Sequence, residues 1–287
     1  MKPAAILATV LTLCACGNGD DLPALDDVPS KAACEPRPGT PVAQSGMADA
    51  GGFALFTDIQ GFPVAGMPTV VFDSGAGEDH TPWQAANVQQ TIAQWHLTFS
   101  YDRAGLGQSD ESNRPKTAVE QAQQLRTLLH NSGMPAPYLL VGHSIAGFNA
   151  RVFADLFPDE VYGVVFVDSS HERMNEGTWL PITIVDVSTV GEMSYAEFTE
   201  TVAQAEDSRT RDRLRDKPIS VLSATCHGPC PAGVSIVNES GWMEFQRDLA
   251  SLSDNSVHMV AAPGAEHHLM TTQPQLVIDG ICEVLGR

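Results

Sequence analysis

Short apolar runs alternate with amphipathic stretches from residue 53 to the end of the chain. This alternation is typical of a mostly parallel sheet whose strands are joined by crossover helices. Near-continuous apolar runs predict strands that are buried on both faces. The predicted strands are residues 69–72, 97–101, 138–141, 161–167, 219–222 and 257–261, and the predicted helices are residues 117–132, 145–156, 239–252 and 273–285.

Two segments depart from this alternation. Residues 53–59 and 62–64 predict a hairpin that turns at Gln60-Gly61. Residues 169–216 form a long insertion between two predicted strands, where a plain connection is far shorter. The second half of this insertion, residues 195–216, is polar and predicts a helix with a solvated face. We therefore expect a lid over the site that the strand ends form.

Composition and charge exclude several classes of protein for this sequence. With 43% hydrophobic and 18% charged residues among 287, the sequence indicates a globular protein and excludes a disordered chain or a multispanning membrane protein. The formal net charge of -19 repels phosphate backbones, so nucleic acid is not an expected partner.

The N-terminus predicts export. Lys2 precedes an apolar stretch, residues 4–13, that is too short to span a bilayer but suits a signal peptide over residues 1–15. The sequence LCAC at residues 13–16 resembles the lipobox of bacterial lipoproteins, which implies a lipid on Cys16; a plain secretory peptide is the alternative. Residues 16–44 predict a flexible tether. We expect a lipid anchor in the cell envelope, in the outer membrane if the host has one.

Four cysteines remain beyond the predicted anchor, an even number in an oxidising compartment. Cys226 and Cys230 enclose three residues, so they predict a disulfide across a tight loop. Free thiols or a metal site are the alternatives. Cys34 and Cys282 are further disulfide candidates, and the sequence leaves open whether they pair with each other.

The motif GHSIAG at residues 142–147 directly follows a predicted strand and opens a predicted helix. This context is that of a nucleophile elbow, a sharp turn that lifts a Ser hydroxyl above the sheet. A serine that caps the start of the helix is the alternative for Ser144 when this motif is taken alone. Two further glycine-containing segments each follow a predicted strand: FDSGAG at residues 72–77 and YDRAGLGQS at residues 101–109.

In their order and spacing these three segments resemble the α/β-hydrolase superfamily, over about residues 50–287. The resemblance implies an α/β-hydrolase fold: a mostly parallel eight-stranded sheet, helices on both faces and a small helical lid after the sixth strand. It implies Ser144 as nucleophile and the backbone N–H groups of Ala76 and Ile145 as oxyanion donors. The YDRAGLGQS segment corresponds to a structural turn. Ala146 replaces the last Gly of the family's G-x-S-x-G pattern, a small change that leaves room for the turn.

The sequence GAEHHLM at residues 264–270, with a proline at 274, is similar to the family's G-x-x-H segment. The resemblance implies His267 as the general base, with His268 as the alternative. We interpret His143, beside the nucleophile, as a packing and hydrogen-bonding residue.

The acid of the triad is harder to assign, because no acidic residue lies between the strand at 219–222 and Glu239. Some relatives place this acid after the strand that follows the nucleophile helix, and Asp168 occupies that position here. A structural carboxylate is the alternative for Asp168. Glu239 starts a predicted helix, where a negative charge favours the helix N-terminus.

Together these residues predict a Ser-His-Asp esterase that forms an acyl-enzyme from a small-molecule ester and needs no cofactor and no metal. Amides, lactones and carbon-carbon bonds of diketones remain open as substrates. A serine at the elbow argues against dehalogenase and epoxide hydrolase chemistry, which use an aspartate there. The alternative from another class is an inactive hydrolase scaffold that binds a ligand or partner at the cell surface.

Overall fold

The computed structural model describes residues 34–36, 39–175, 192–227 and 239–287. Eight strands form one sheet in the order β1-β2-β4-β3-β5-β6-β7-β8. β1 is antiparallel to β2 and β2 to β4, and all other neighbours are parallel. The strands are β1 (Val42–Asp49), β2 (Ala54–Gly61), β3 (Thr69–Asp73), β4 (Leu97–Tyr101), β5 (Tyr138–His143), β6 (Val161–Val167), β7 (Ile219–Ser223) and β8 (Ser256–Val260).

The six strands predicted from apolar runs are confirmed, with ends that differ by two residues or fewer. In β3, β4, β5 and β7 every residue is buried, which explains why these strands read as continuous apolar runs rather than alternating ones.

The predicted hairpin at Gln60-Gly61 is wrong. β2 pairs instead with β1, from Val42 opposite Gly61 to Asp49 opposite Ala54. β1 is mostly exposed and therefore carries no apolar signal, and its first residues lie inside the predicted tether of residues 16–44. Gly61 is required for a close approach: a Cβ there would lie 2.0 Å from the carbonyl oxygen of His96.

Eight α-helices lie within the described residues. The four long helices predicted from periodicity are confirmed within two residues, whereas three helices of five residues or fewer are too short to produce a periodic signal. The helices are α1 (Thr81–Ala85), α2 (Val88–Ile92), α3 (Ala118–Asn131), α4 (Ala146–Leu156), α5 (Tyr195–Thr210), α6 (Glu239–Ala250), α7 (Leu269–Thr272) and α8 (Pro274–Leu285).

The helices cover both faces of the sheet, and each face has its own apolar layer. One layer joins α3, α4 and α6 to the sheet around Phe99, Tyr138 and Phe153. The other joins α1, α2, α7 and α8 to the opposite face around Phe72 and Trp83. The sheet is therefore held between two layers of helices, and the carboxyl ends of its parallel strands are left to form a site.

The described part of the predicted lid contains α5, which packs against α3 and α4. Ser194 caps α5 through a capping box with Glu197. Side chains of α5 in turn satisfy the first N–H groups of α3, because Thr201 accepts from Ala118 and Gln204 from Val119. The polar helix predicted in this insertion is thus present, and residues 176–191 lie outside the described residues.

A disulfide between Cys34 and Cys282 ties the N-terminal segment to α8 across 248 residues of sequence. Cys226 is also disulfide-bonded, and Cys230, its predicted partner, lies outside the described residues. The predicted signal peptide and Cys16 lie outside them as well. Within the described ranges no helix combines the length and apolarity needed to cross a membrane.

Candidate active site

Two residues at the carboxyl ends of neighbouring strands have left-handed backbone conformations. Ser144, after β5, has a φ of 55°, and Asp168, after β6, has a φ of 43°. Such values are uncommon for residues other than glycine and mark places where the fold imposes a sharp turn. The Ser144 N–H donates to the Val167 carbonyl and the Ser170 N–H donates to the Ser144 carbonyl, so the two turns hold each other.

Small residues around Ser144 make its turn possible. A Cβ on Gly142 would lie 2.8 Å from the carbonyl oxygen of Ala146, and one on Gly147 would lie 2.5 Å from the Cβ of Ser169. Both distances are too short for any larger residue without movement of the backbone or of a buried neighbour. The local sequence therefore folds into the strand-turn-helix geometry predicted for a nucleophile elbow.

The residues predicted as base and acid are in contact. His267 Nδ1 lies 2.6 Å from Asp168 Oδ2. Asp168 is fully buried, and its other oxygen, Oδ1, accepts from the Trp242 indole N–H at 2.8 Å and the Ala224 N–H at 2.9 Å. Burial raises the pKa of Asp168, but the hydrogen bonds with histidines outweigh burial and hold this pKa far below its usual range.

His267 is also fixed against the residue that precedes Ser144. His143 Nε2 lies 3.1 Å from the His267 carbonyl oxygen, and the two imidazole rings are 4.6 Å apart. Burial and the nearby His267 lower the pKa of His143 to about 4, so His143 is neutral at pH 7. Its Nε2 faces the His267 carbonyl and its Nδ1 lies 3.2 Å from Glu78 Oε2, contacts that agree with its predicted role as a packing and hydrogen-bonding residue.

His268, the alternative base, has a different carboxylate partner. Its Nε2 lies 2.5 Å from Glu78 Oε1, and about half of its side chain is exposed. The hydrogen bond with Glu78 raises the pKa of His268. Glu78 Oε2 accepts from the Gly75 N–H and contacts His143 Nδ1, so Glu78 connects the loop after β3 with both histidine segments.

The loop after β3, which includes Ala76, is held by Arg103 from the YDRAGLGQS segment. Arg103 donates to the carbonyl oxygens of Ser74 and Gly75, each at 2.6 Å. The same guanidinium pairs with Glu192 in the middle of the insertion, just before α5, and Glu192 Oε2 accepts from the Gly77 N–H at 2.8 Å. The backbone on both sides of Ala76 is thus fixed by buried charges.

The two predicted oxyanion donors share one environment. Ala76 and Ile145 both contact an apolar cluster with Phe148, Met193 and Phe198. Within the described ranges, the N–H groups of Ala76 and Ile145 donate to no protein atom. Two such donors beside an apolar wall suit a developing negative charge, because a low dielectric strengthens the hydrogen bonds.

A family model described as alpha/beta hydrolase fold matches residues 68–218, more than half of the chain. This chain belongs to the α/β-hydrolase family. It is 26% identical over 219 residues to the uncharacterized protein YqjL of Bacillus subtilis, covering 75% of this chain and 83% of that protein.

Solved structures agree on the fold. E-2-(acetamidomethylene)succinate hydrolase is 18% identical, with a TM-score of 0.61 over 86% of this chain and 100% of that one. A thermophilic esterase from Thermogutta terrifontis is 20% identical, with a TM-score of 0.57 over 83% of this chain and 97% of that one. At these identities the likeness shows the shared fold, and the chemistry of this α/β hydrolase rests on its own residues.

Sequence reasoning missed a second histidine on Asp168. In this α/β hydrolase His227 Nε2 lies 2.6 Å from Asp168 Oδ2, the same oxygen that contacts His267. Glu239 was predicted only to favour the start of α6. Its carboxylate in fact accepts from the backbone N–H of His227 at 2.7 Å and lies 2.9 Å from the ring nitrogen His227 Nδ1. The sequence carried one signal for this residue: the expected acid after β7 is missing, and His227 lies in the stretch where that acid was expected.

Two groups of side chains in the described part of this α/β hydrolase each bring three potential metal ligands within 4.8 Å: Asp168 with His227 and His267, and His171 with Glu172 and Asp248. In the second group Arg209 donates to both Glu172 and Asp248, and Arg151 donates to Glu172. These two cations oppose the binding of a metal ion there. In the first group the ligand atoms already face each other as hydrogen-bond partners.

Proposed function

We propose that this α/β hydrolase is a serine hydrolase that cleaves carboxylic esters of small molecules through an acyl-enzyme. The contact that carries the proposal is the 2.6 Å approach of His267 Nδ1 to the buried Asp168, on the sheet edge where Ser144 forms a left-handed turn. A carboxylate that fixes Nδ1 leaves Nε2 free to accept a proton from a serine.

In the proposed reaction Ser144 Oγ attacks the ester carbonyl carbon while His267 Nε2 accepts its proton. The N–H groups of Ala76 and Ile145 stabilise the oxyanion, and His267 returns the proton to the departing alcohol. Water then attacks the acyl carbon with His267 Nε2 accepting its proton, the bond to Ser144 Oγ breaks, and His267 returns the proton to Oγ as the carboxylic acid leaves. Asp168 stabilises the imidazolium in both halves of the reaction.

The surroundings favour neutral substrates. Ala76 and Ile145 pack against the buried apolar side chains of Phe148, Met193 and Phe198, so the protein beside the proposed oxyanion donors is apolar. The net charge of -19 steers anionic substrates away from the protein. We therefore expect aryl esters of short, uncharged acids to be hydrolysed.

A fluorophosphonate probe tests the proposal, because it reacts covalently with an activated serine. We expect wild-type protein to be labelled and to hydrolyse p-nitrophenyl acetate, Ser144→Ala to lose both properties, and Ser45→Ala, a change on the exposed face of β1, to keep both. Absence of labelling and of turnover in folded wild-type protein would refute the proposal and favour an inactive scaffold that binds a ligand.

We further propose that Cys16 carries a lipid that anchors the enzyme in the cell envelope, on the resemblance of residues 13–16 to a lipobox. Cys16→Ser should move the protein from the membrane fraction to the soluble fraction with esterase activity unchanged. Cys14→Ser is the matched control and should leave the protein in the membrane fraction. Wild-type protein that is already in the soluble fraction would exclude the anchor.

A further inference from the structure

His227 is buried between two carboxylates. Its Nε2 faces Asp168 Oδ2 at 2.6 Å and its Nδ1 faces Glu239 Oε2 at 2.9 Å. An ionised carboxylate only accepts hydrogen bonds, so each ring nitrogen must carry a proton to make its bond. With both carboxylates ionised, His227 is therefore an imidazolium.

The groups on each side support this charge state. The bonds with Asp168 and Glu239 outweigh burial and raise the pKa of His227. Among the residues that the structure describes, the charged and titratable side chains that face the ring are Asp168 at the end of β6, Glu239 at the start of α6 and His267 after β8, whose ring centroid is 5.6 Å away. The Trp242 ring, 4.7 Å from that of His227, closes another side.

Asp168 Oδ2 thus accepts from two imidazoles at the same distance. We propose that His227 is a positioning residue of the active site, a buried cation that is held by Glu239 and that fixes Asp168 opposite His267. The inference rests on the proposed serine hydrolase function and adds a fourth and a fifth member, His227 and Glu239, that support the triad without touching the substrate.

The cation also limits how strongly Asp168 attracts a proton to His267. A positive charge about 6 Å from a titrating group shifts its pKa by about 1 to 2 units at an effective dielectric constant of ~20 to 40. Removal of this cation leaves the negative charges of Asp168 and Glu239 uncompensated beside the proposed base, and a negative charge favours protonated neighbours. Since His267 must be neutral to act as base, the acidic limb of kcat/KM should move upward.

The variant His227→Gln tests this, because glutamine can still donate to Asp168 but carries no charge. We expect the midpoint of the acidic limb of kcat/KM to rise by about 1 to 2 pH units. The value of kcat at its high-pH plateau should fall by less than about tenfold, since Trp242 and Ala224 still hold Asp168. The matched control is His171→Gln, which changes another buried histidine whose carboxylate partner, Asp248, lies outside the triad. Its midpoint should equal that of wild type.

A spectroscopic measurement on wild-type protein tests the proposal without any variant. In ¹⁵N NMR at pH 7 the His227 ring should show two protonated nitrogens, assigned through its proximity to the Trp242 indole N–H. A neutral His227 ring, or a midpoint that is the same in His227→Gln and wild type, would overturn the inference. Failure of the fluorophosphonate to label wild-type protein would instead overturn the proposed function, and the inference would fall with it.

Discussion

Replacement of Asp168 by asparagine should disturb the contact with His267 while keeping the hydrogen bonds that hold residue 168 in place. Oδ1 of Asp168 accepts from two neutral donors, the Trp242 indole and the Ala224 N–H, so the asparagine oxygen will take this place. Its amide nitrogen then faces His267 Nδ1 at the position of Oδ2. Because an amide N–H donates, His267 must accept at Nδ1 and carry its proton on Nε2, the atom that should receive the proton of Ser144.

The expected loss of kcat is about 10⁴-fold, equal to about 5 kcal/mol of transition-state stabilisation, which is the magnitude that the same change produces in the triad of a serine protease. The fold should persist, because asparagine is nearly isosteric with aspartate. The free energy of unfolding should fall by about 1 to 3 kcal/mol, since two charged hydrogen bonds to a buried group are lost.

The assay is turnover of p-nitrophenyl acetate per folded molecule, with folding followed by circular dichroism and urea denaturation. Asp102→Asn is the matched control, because Asp102 is also fully buried and lies 2.6 Å from a histidine nitrogen, His80 Nδ1. It should lose comparable stability while kcat changes by less than about tenfold.

Two results would refute this reasoning. Folded Asp168→Asn with kcat within about tenfold of wild type would make Asp168 a structural carboxylate. A larger loss in Glu78→Gln than in Asp168→Asn would move the base to His268, which Glu78 contacts at 2.5 Å.

Three further predictions concern stability. Glu192→Gln leaves buried Arg103 with Asp73 as its acidic partner, so the free energy of unfolding should fall by about 3 kcal/mol. The value of kcat should also fall, because the loop at Ala76 is held less firmly. Exposed Glu200→Gln should change neither quantity, and equal behaviour of the two variants would contradict this prediction. Cys34→Ser should lower the unfolding free energy by about 2 to 5 kcal/mol in urea denaturation, because the disulfide closes a long loop, and an unchanged midpoint would refute this expectation. Because burial lowers the pKa of His143 from 6.5 to about 4, the unfolded chain binds a proton between these values that the folded chain does not. Acidification across this window should therefore cost up to about 3 kcal/mol of stability, and His143→Gln should show a weaker pH dependence than wild type in parallel denaturation curves.

Local pattern predicted most of this fold. The central strands are buried on both faces, so their sequences are continuously apolar, and the long helices are amphipathic, so they repeat with helical period. The elbow at Ser144 was predictable from local sequence because a small residue at 142 is required by a contact within the turn itself, with the carbonyl oxygen of Ala146. β1 was missed because an exposed edge strand carries no such constraint.

Only the tertiary structure decided how the chemistry-bearing residues are paired. Asp168 was placed by sequence at the correct sheet edge, but its bond with His267 spans 99 residues and its bond with His227 spans 59. Arg103 and Glu192, 89 residues apart, meet under the loop at Ala76. A periodic pattern reports which face of an element is buried, whereas partners across such separations depend on how several loops pack together. That packing made His227 a buried neighbour of Asp168. The missing acid after β7 marked this stretch of the sequence as unusual, but it did not identify the partner of His227.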